Sequence, residues 1–286
     1  MKRKIIFLIS LGVIILLFFL LPNSKKDNTI VPKNESKLRI ISLGPYVTEN
    51  LFLLGMDKNI IGLTIHDLPE RKKRKEIIGT LIAPNIEKIL TLKPDIVIGA
   101  KEGNKPETIY ELQKLGIRTL TLKELYSFDD INNNFLALGE ILNVKKIAEN
   151  IISRNLTELN QILDKPEEEK KKKVFFILGF NPLITTGRNT YINEMISFAG
   201  GENIFKDIEK KWFTCSFEEV VRRNPDVILF IGMDKDTNFF DNRLSEIGGI
   251  KESSCYEMED TVIGSPTPET FVNSVKKLNE LFYKLP

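Results

Sequence analysis

Short apolar runs alternate with amphipathic stretches along the chain after residue 37. Runs rich in aliphatic and β-branched residues predict strands at 38–43, 60–65, 95–99, 118–122, 174–178 and 227–231. Apolar positions at helical spacing predict helices at 48–54, 108–115, 191–199 and 268–283, several of them closed by glycine. Long loops are expected at 100–106 and 179–188, and Trp212 is expected in a further loop. Strand and helix in alternation predict an α/β fold with mainly parallel sheets.

The middle of the chain has a different pattern. Residues 128–164 have no proline, one glycine, and apolar residues at helical spacing, which predicts two successive helices, the second from about Val144 to Leu163. We therefore expect an N-terminal α/β lobe at 38–125, connecting helices at 126–165 and a C-terminal α/β lobe at 166–286.

Two passages of the chain resemble each other. Residues 86–99 read IEKILTLKPDIVIG, and residues 217–230 read FEEVVRRNPDVILF, so each runs from a short amphipathic helix through Pro-Asp into a strand. Similarity at half the chain length predicts two related lobes. A cleft between such lobes, at the carboxyl ends of the strands, is the expected ligand site.

The N-terminus has the pattern of an export segment. The basic residues Lys2, Arg3 and Lys4 precede an almost unbroken apolar run from Ile5 to Leu21. Residues 1–24 are interpreted as a signal peptide or a signal anchor, and 25–37 as a flexible tether. No small-x-small cleavage site follows, which favours an uncleaved anchor, and no cysteine follows, which excludes a lipoprotein signal. The expected location is the outer face of the cytoplasmic membrane, periplasmic or extracellular, with membrane contact through residues 5–21.

Charge argues against a nucleic-acid partner. The chain has 41 basic and 39 acidic residues, but five of the basic ones lie within residues 1–26, so 36 basic residues remain against 39 acidic ones. A general nucleic-acid binder needs a basic surface, which this balance does not provide.

Catalytic and metal-binding patterns are missing from the sequence. His66 is the single histidine, so neither an HExxH zinc motif nor a three-histidine site is possible. The sequence contains no phosphate-binding glycine loop and no GxSxG nucleophile turn. The cysteines Cys215 and Cys255 leave a disulfide open but not a disulfide scaffold. We expect no enzymatic activity, no catalytic residue, no cofactor and no protein-bound metal.

Ligand-contacting residues are expected in the loops that follow the strands, where the two lobes face each other. Trp212 could instead be a core residue, but an aromatic wall would suit a flat ligand. The predicted ligand-binding residues are Tyr46, His66, Asp67, Lys101, Asn181, Arg188, Trp212 and Phe213.

Four segments carry a resemblance to a known family: RIISLGPYVTENLFLLG (39–55), IEKILTLKPDIVIG (86–99), LITTGRNTYINEMISFAGGENIFKD (183–207) and FEEVVRRNPDVIL (217–229). Together they resemble class III solute-binding proteins of ABC importers, which take up vitamin B12, haem or iron-siderophores. The resemblance implies two Rossmann-like lobes joined by a long rigid helix. The GGENIFKD motif before a tryptophan is most similar to the B12-binding members. Leu81 and Leu68 stand where those members have aromatic residues.

The resemblance also implies a partner. One glutamate on each lobe would dock on arginines of a membrane permease, and the matching residues are Glu49 and Glu218; both could also be ordinary surface residues at helix starts. The predicted function is a monomeric extracytoplasmic receptor that delivers a metal-chelate ligand to an ABC importer. The alternatives are an exported two-lobed enzyme, such as a glycosyltransferase-like protein, and a tethered structural protein with an unused cleft.

Overall fold

The fold begins with a parallel sheet that forms an N-terminal lobe. A computed structural model describes residues 38–164, 171–232 and 254–284; the predicted export segment and tether lie outside these residues. The first sheet has the strand order β3-β2-β1-β4-β5, all parallel. Its strands are β1 Ile40–Ser42, β2 Ile60–Leu63, β3 Glu76–Ile77, β4 Ile96–Ala100 and β5 Thr119–Leu122, and its helices are α1 Pro45–Leu53, α2 Ile86–Thr91 and α3 Pro106–Lys114.

Two helices follow the first sheet. They are α4, Phe128–Ile141, and α5, Lys145–Leu163. A capping box starts α4: the Ser127 hydroxyl accepts from Asp130 N at 3.1 Å, and the Asp130 carboxylate accepts from Ser127 N at 3.0 Å. The predicted pair of successive helices in this region is confirmed, including the start of the second helix to within one residue.

A second parallel sheet forms the C-terminal lobe. Its strand order is β12-β11-β6-β9. The strands are β6 Lys172–Ile177, β9 Gly201–Asn203, β11 Val227–Ile231 and β12 Cys255–Met258. The helices of this lobe are α6 Tyr191–Phe198, α7 Phe217–Arg223, α8 Thr261–Gly264 and α9 Pro268–Lys284. The expected α/β fold with mainly parallel sheets is therefore confirmed.

A small antiparallel sheet corrects the prediction of long loops. Residues 179–188 and Trp212 were expected in loops, but they contribute the strands β7 Gly179–Phe180, β8 Leu183–Thr186 and β10 Trp212–Thr214, in the order β10-β8-β7. These strands are two to four residues long, too short to show a period in the sequence. The Thr185 hydroxyl donates to Phe176 O at 2.7 Å, which fixes this sheet to the end of β6.

Helix starts also differ from the predicted ones. Helix α1 begins at Pro45 instead of Thr48, and α3 begins at Pro106 instead of Thr108. Proline suits the first helical turn because its φ is already fixed near the helical value and it needs no hydrogen bond there. The dipeptide Gly44-Pro45 therefore marks the start of a helix.

One apolar cluster connects the lobes to the helices between them. It includes Ile40 and Ile98 of the first sheet, Phe135 of α4 and Phe176 of the second sheet, all fully buried. Across the described ranges 38–164, 171–232 and 254–284, no helix is both long and apolar enough to cross a membrane.

Candidate functional site between the lobes

A cavity of about 390 Å³ lies at the carboxyl ends of both parallel sheets. Its walls come from the residues that directly follow β4, β5 and β6, and from the antiparallel sheet and two helices of the C-terminal lobe. The lining residues are Lys101, Glu102, Glu124, Leu178, Tyr191, Lys211, Trp212 and Ile263. This is the position at which open α/β sheets bind ligands, because the loops after parallel strands meet there.

Two ion pairs cross this cavity. The Lys211 ammonium of the C-terminal lobe contacts the Glu102 carboxylate, and it also lies 3.1 Å from Glu124 Oε1. Both glutamates belong to the N-terminal lobe. The Lys211 side chain is only 14% exposed, and its ammonium also lies 4.9 Å from the centre of the Tyr126 ring. The hydrogen bond from Lys211 lowers the pKa of Glu124, so this carboxylate stays ionised in mildly acidic solution.

The antiparallel sheet positions Lys211. Its carbonyl accepts from Gly187 N at 3.1 Å and from the Thr186 hydroxyl at 3.2 Å. Gly187 approaches this edge closely, because an added Cβ would lie 2.2 Å from Lys210 O. The backbone before β10 is therefore fixed, and the long lysine side chain extends from it towards the other lobe.

Trp212 and Phe213 lie on opposite faces of β10, as neighbouring residues of a strand must. Trp212 is half-buried, lines the cavity, and has its ring centre 6.3 Å from that of Phe176. Phe213 instead packs edge-on against Phe205, with 5.3 Å between ring centres, in a separate apolar cluster. Of Trp212 and Phe213, both predicted to contact ligand, the structure places only Trp212 in the cavity wall.

Two buried tyrosines differ in their relation to the cavity. Tyr46 was predicted to contact ligand, but it is 8% exposed and lies outside the cavity lining, where its hydroxyl accepts from Asn134 Nδ2 at 3.2 Å. Tyr191 lines the cavity, and its hydroxyl donates to Ile263 O at 2.9 Å. Burial raises the pKa of both phenols, so both stay protonated in neutral solution.

His66 and Asp67 follow β2 and lie outside the cavity lining. His66 is exposed. Asp67 is 2% exposed, and its Oδ2 accepts from Thr64 N at 2.8 Å and from the Thr64 hydroxyl at 2.7 Å. Burial raises the pKa of Asp67. These bonds give Asp67 a structural task in closing the turn after β2.

The remaining predicted contacts are on the surface. Lys101 is exposed and lines the cavity. Asn181 is exposed in the turn between β7 and β8, and exposed Arg188 pairs with Glu209 of its own lobe. Neither Asn181 nor Arg188 belongs to the lining of the cavity. Their role in ligand binding stays a prediction.

An aliphatic surface, formed by Leu81 and Ile82, lies next to the loop that contributes Glu102 to the cavity. Leu81 packs closely against Gly103, where an added Cβ would lie 2.6 Å from Leu81 Cδ2. Asn104 holds this arrangement, since its Nδ2 donates to Leu43 O and Leu81 O, each at 2.9 Å. The neighbouring Ile82 side chain is 56% exposed. The N-terminal lobe therefore presents aliphatic groups at the carboxyl end of its sheet.

The two predicted docking glutamates have different surroundings. Glu49 on α1 is 15% exposed and forms a two-pronged pair with Arg71, at 2.9 and 2.8 Å. The Arg71 guanidinium also lies 4.2 Å above the Phe52 ring. Glu218 is exposed in the first turn of α7. Their docking role stays a prediction, and Glu49 already has a partner within the chain.

Sequence reasoning missed Glu102, Glu124, Lys211 and Tyr191. The glutamates could have been found, because each lies two residues beyond the end of β4 or β5, and both of these strands were predicted. Lys211 gave no such signal, since β10 was not predicted. In the part of the chain that the structure describes, no cluster of three or more His, Cys, Asp or Glu side chains is arranged to hold a metal ion.

Comparison with known proteins places the chain among binding proteins. The family model "Periplasmic binding protein" matches residues 40–247. An ABC transporter substrate-binding lipoprotein of Bacillus subtilis (strain 168) is 28% identical over 268 residues, covering 91% of this chain and 83% of the relative. A vitamin B12-binding protein of Yersinia pestis (strain Pestoides F) is 30% identical over 195 residues, covering 68% of this chain and 69% of the relative.

A solved structure has the same fold. The periplasmic vitamin B12-binding protein of Vibrio cholerae superposes with a TM-score of 0.70 and 25% identity, covering 86% of this chain and 97% of that one. The α/β fold with its parallel sheets is thus shared with a periplasmic binding protein.

Proposed function

The chain belongs to the periplasmic binding protein family, and we propose that it captures an organic metal complex in the cavity between its lobes for delivery to an ABC importer. A corrinoid, a haem or a ferric siderophore is the expected class of ligand. The observation that carries this proposal is the cavity itself, which lies at the carboxyl ends of both parallel sheets and has Trp212 in its wall. The relatives named above are binding proteins, which favours this function over an exported enzyme.

The chemistry of the lining suits recognition of a ligand through its periphery. The Trp212 face offers a stacking surface for a flat ring, and the aliphatic surface at Leu81 and Ile82 offers apolar contact on the facing lobe. Lys101 and Lys211 can bind acidic groups, while Glu102 and Glu124 can accept hydrogen bonds from amides or hydroxyls. The Tyr191 hydroxyl is engaged by a backbone carbonyl, so the polar contacts of the lining come mainly from these charged groups.

Delivery would take place outside the cytoplasmic membrane. We propose that residues 5–21 anchor the protein there and that Glu49 and Glu218 orient it on the permease. The bidentate pair between Glu49 and Arg71 implies that a permease arginine would have to join or replace Arg71 at this carboxylate.

Ligand capture is tested by titrating residues 38–286 with cyanocobalamin, haemin and ferrichrome. Trp212 is the single tryptophan, so quenching of its emission reports directly on the cavity. Trp212→Ala should weaken binding by about 1–3 kcal/mol, and Trp212→Phe by less, because a ring remains to stack. Affinities of these two variants are measured by calorimetry. Absence of saturable binding to all three compounds would contradict the proposed ligand class.

Docking is tested by charge reversal. Glu49→Arg combined with Glu218→Arg should leave ligand affinity unchanged and abolish uptake into vesicles that contain the permease, because like charges would then face each other. Normal uptake by the double variant would contradict the docking role.

A further inference from the structure

The ion pairs of Lys211 join the lobes across the mouth of the ligand site. One partner, Glu102, lies in the loop after β4, and the other, Glu124, lies in the loop after β5; both loops belong to the N-terminal lobe. Lys211 lies directly before β10 of the C-terminal lobe. All three residues line the cavity, so an occupant of the cavity must meet them.

The cavity is small for the proposed ligands. Its volume of about 390 Å³ lies near the lower end of the roughly 300–1,000 Å³ that small-molecule pockets occupy. Corrinoids and haems are larger than typical pocket ligands, so placing one against Trp212 and Tyr191 would displace the side chains that cross the cavity, by a shift of their loops or a separation of the lobes. Separation of the lobes would break the contacts of Lys211 with Glu102 and Glu124.

We propose that Lys211, Glu102 and Glu124 form an ionic latch that holds the empty cleft closed, and that a ligand opens it by placing a carboxylate or phosphate group on Lys211. The second part of this proposal, the opening by a ligand, rests on the proposed function. The latch itself concerns the protein without ligand.

Electrostatics explains why the ligand should be acidic. With the cleft closed, the Lys211 side chain is 14% exposed, and a ligand in the cavity would keep water from its ammonium after the carboxylates leave, so a lysine without a counter-ion there is unfavourable. A ligand with an anionic group replaces the lost carboxylates, whereas a neutral ligand leaves the lysine unpaired. The two glutamates are 38% and 41% exposed, so water can solvate them after they leave Lys211.

The latch is tested first without ligand. In the double variant Glu102→Gln, Glu124→Gln, Trp212 should emit at longer wavelength and be quenched by acrylamide at least twofold more strongly. Lys206→Met is the matched control, since it removes an exposed pair with Glu202 within one lobe and should change neither signal. The charge exchange Glu102→Lys, Glu124→Lys, Lys211→Glu should restore low quenching. Quenching that is unchanged in the Gln double variant, with the far-ultraviolet circular dichroism also unchanged, would overturn the latch.

The acidic group is tested with matched probes. Haemin is compared with its dimethyl ester, and this pair tests carboxylate. Cyanocobalamin is compared with dicyanocobinamide, which lacks the phosphate together with the ribose and the base attached to it, and this pair tests the nucleotide loop that carries the phosphate. One of the two pairs is expected to show a preference for its acidic member. The Gln double variant should bind that acidic member about tenfold more tightly than the unaltered protein does, because no glutamate competes with the ligand for Lys211. Lys211→Met should bind that member about tenfold more weakly and bind the neutral member no more weakly than before.

Three results separate the proposals. Tighter binding of acidic and neutral probes alike by Lys211→Met would overturn the role of the anionic group. Equal affinity of the unaltered protein for both members of each pair would overturn it too. Failure of every probe to bind would contradict the proposed function, while the acrylamide experiment would still decide on the latch.

Discussion

The two parallel sheets are built on one plan, and they differ in the elements that come after the opening strand. In each, the opening strand lies beside the strand that follows the Pro-Asp motif: β1 beside β4, and β6 beside β11. In the N-terminal sheet, β1 leads directly into α1, whereas β6 is followed by the antiparallel strands β7 and β8 before α6 begins. The later strand β10 completes this insertion.

The repeated Pro-Asp motif forms the same hydrogen bonds with a residue at the start of the opening strand in both sheets. Asp95 accepts from Arg39 N at 2.7 Å, and Asp226 accepts from Lys173 N at 2.8 Å. In both halves the aspartate N–H also donates back to the same residue's carbonyl, at 2.9 and 2.8 Å. The shared plan thus aligns the strand ends, while the insertion in one half brings Lys211 and Trp212 to the cleft. Two residues that line the cavity therefore come from a segment that only one of the two related halves contains.

The variant with the largest expected effect removes a contact between the C-terminal lobe and the connecting helices. Phe271 of α9 is fully buried, and its ring stacks on that of Phe128 of α4 with 4.4 Å between centres. Phe271→Ala should lower the free energy of unfolding by about 3–5 kcal/mol, because it leaves a cavity. Urea unfolding measures the loss, and Phe271→Leu, which keeps most of the volume, should lose clearly less. Equal losses would contradict the packing argument.

The next largest effect tests the equivalence of the two Pro-Asp motifs. Asp95→Ala and Asp226→Ala should each lower the free energy of unfolding by about 1–2 kcal/mol, since each removes a charged acceptor of a backbone N–H. The conservative variants Asp95→Asn and Asp226→Asn keep an acceptor oxygen and should lose less than half as much. A cost in one half and none in the other would show that the repeat does not carry the same energetic role.

A smaller effect sharpens the comparison at a single backbone position. Lys93 and Asn224 both end a helix before the Pro-Asp motif, and both have φ of +46°. Asparagine tolerates this left-handed conformation better than lysine does. Lys93→Asn should therefore raise the free energy of unfolding, and Asn224→Lys should lower it, each by about 0.5 kcal/mol. The unfolding midpoints should shift in the same directions. Shifts of the same sign for both exchanges would rule out this explanation.

The smallest expected effect is the pH dependence that one ion-pair cluster of the C-terminal lobe contributes. Hydrogen bonds from Arg222 and Arg223 lower the pKa of Glu219 to about 2, and the Arg223 guanidinium lowers the pKa of Asp207. A carboxylate whose pKa is lower in the folded state stabilises the fold above its unfolded pKa, and this stabilisation is lost as pH falls towards about 2.

The matched variants are Arg223→Met, which should flatten the acid branch of a pH–stability curve below about pH 4.5, and Arg223→Lys, which should flatten it less. The Asp207 and Glu219 side chains reach solvent, with 55% and 30% exposure, so salt should reduce the effect. An acid branch that stays equally steep in Arg223→Met would contradict this origin.

Secondary structure and the repeat could be predicted where the pattern was long. The run 227–231 became β11 without change, and the second connecting helix was predicted within one residue of its start, because a long period averages over local exceptions. The strands β7, β8 and β10 could not be predicted. Their residues become strands through pairing with one another and with the end of β6, which is a non-local cause.

Candidate site residues follow the same division. Lys101 was predicted from its place after a strand, and it lines the cavity. Phe213 was predicted from its neighbour Trp212, but strand geometry turns it to the opposite face. Tyr46 and Asp67 were placed by the same loop rule, yet hydrogen bonds and burial hold both inside the lobes.

The sequence by itself determined the class of fold, the two-lobed plan and the edge of the sheets at which the cavity lies, because periodicity and the repeated Pro-Asp motif are local signals. Only the tertiary structure decided which side chains share the cleft. Lys211 and Glu102 are 109 residues apart along the chain, and no local pattern connects them. They meet because the carboxyl ends of the two parallel sheets face each other. The short antiparallel insertion, stabilised by pairing between its own strands and by a hydrogen bond to the end of β6, then places the lysine beside the other lobe.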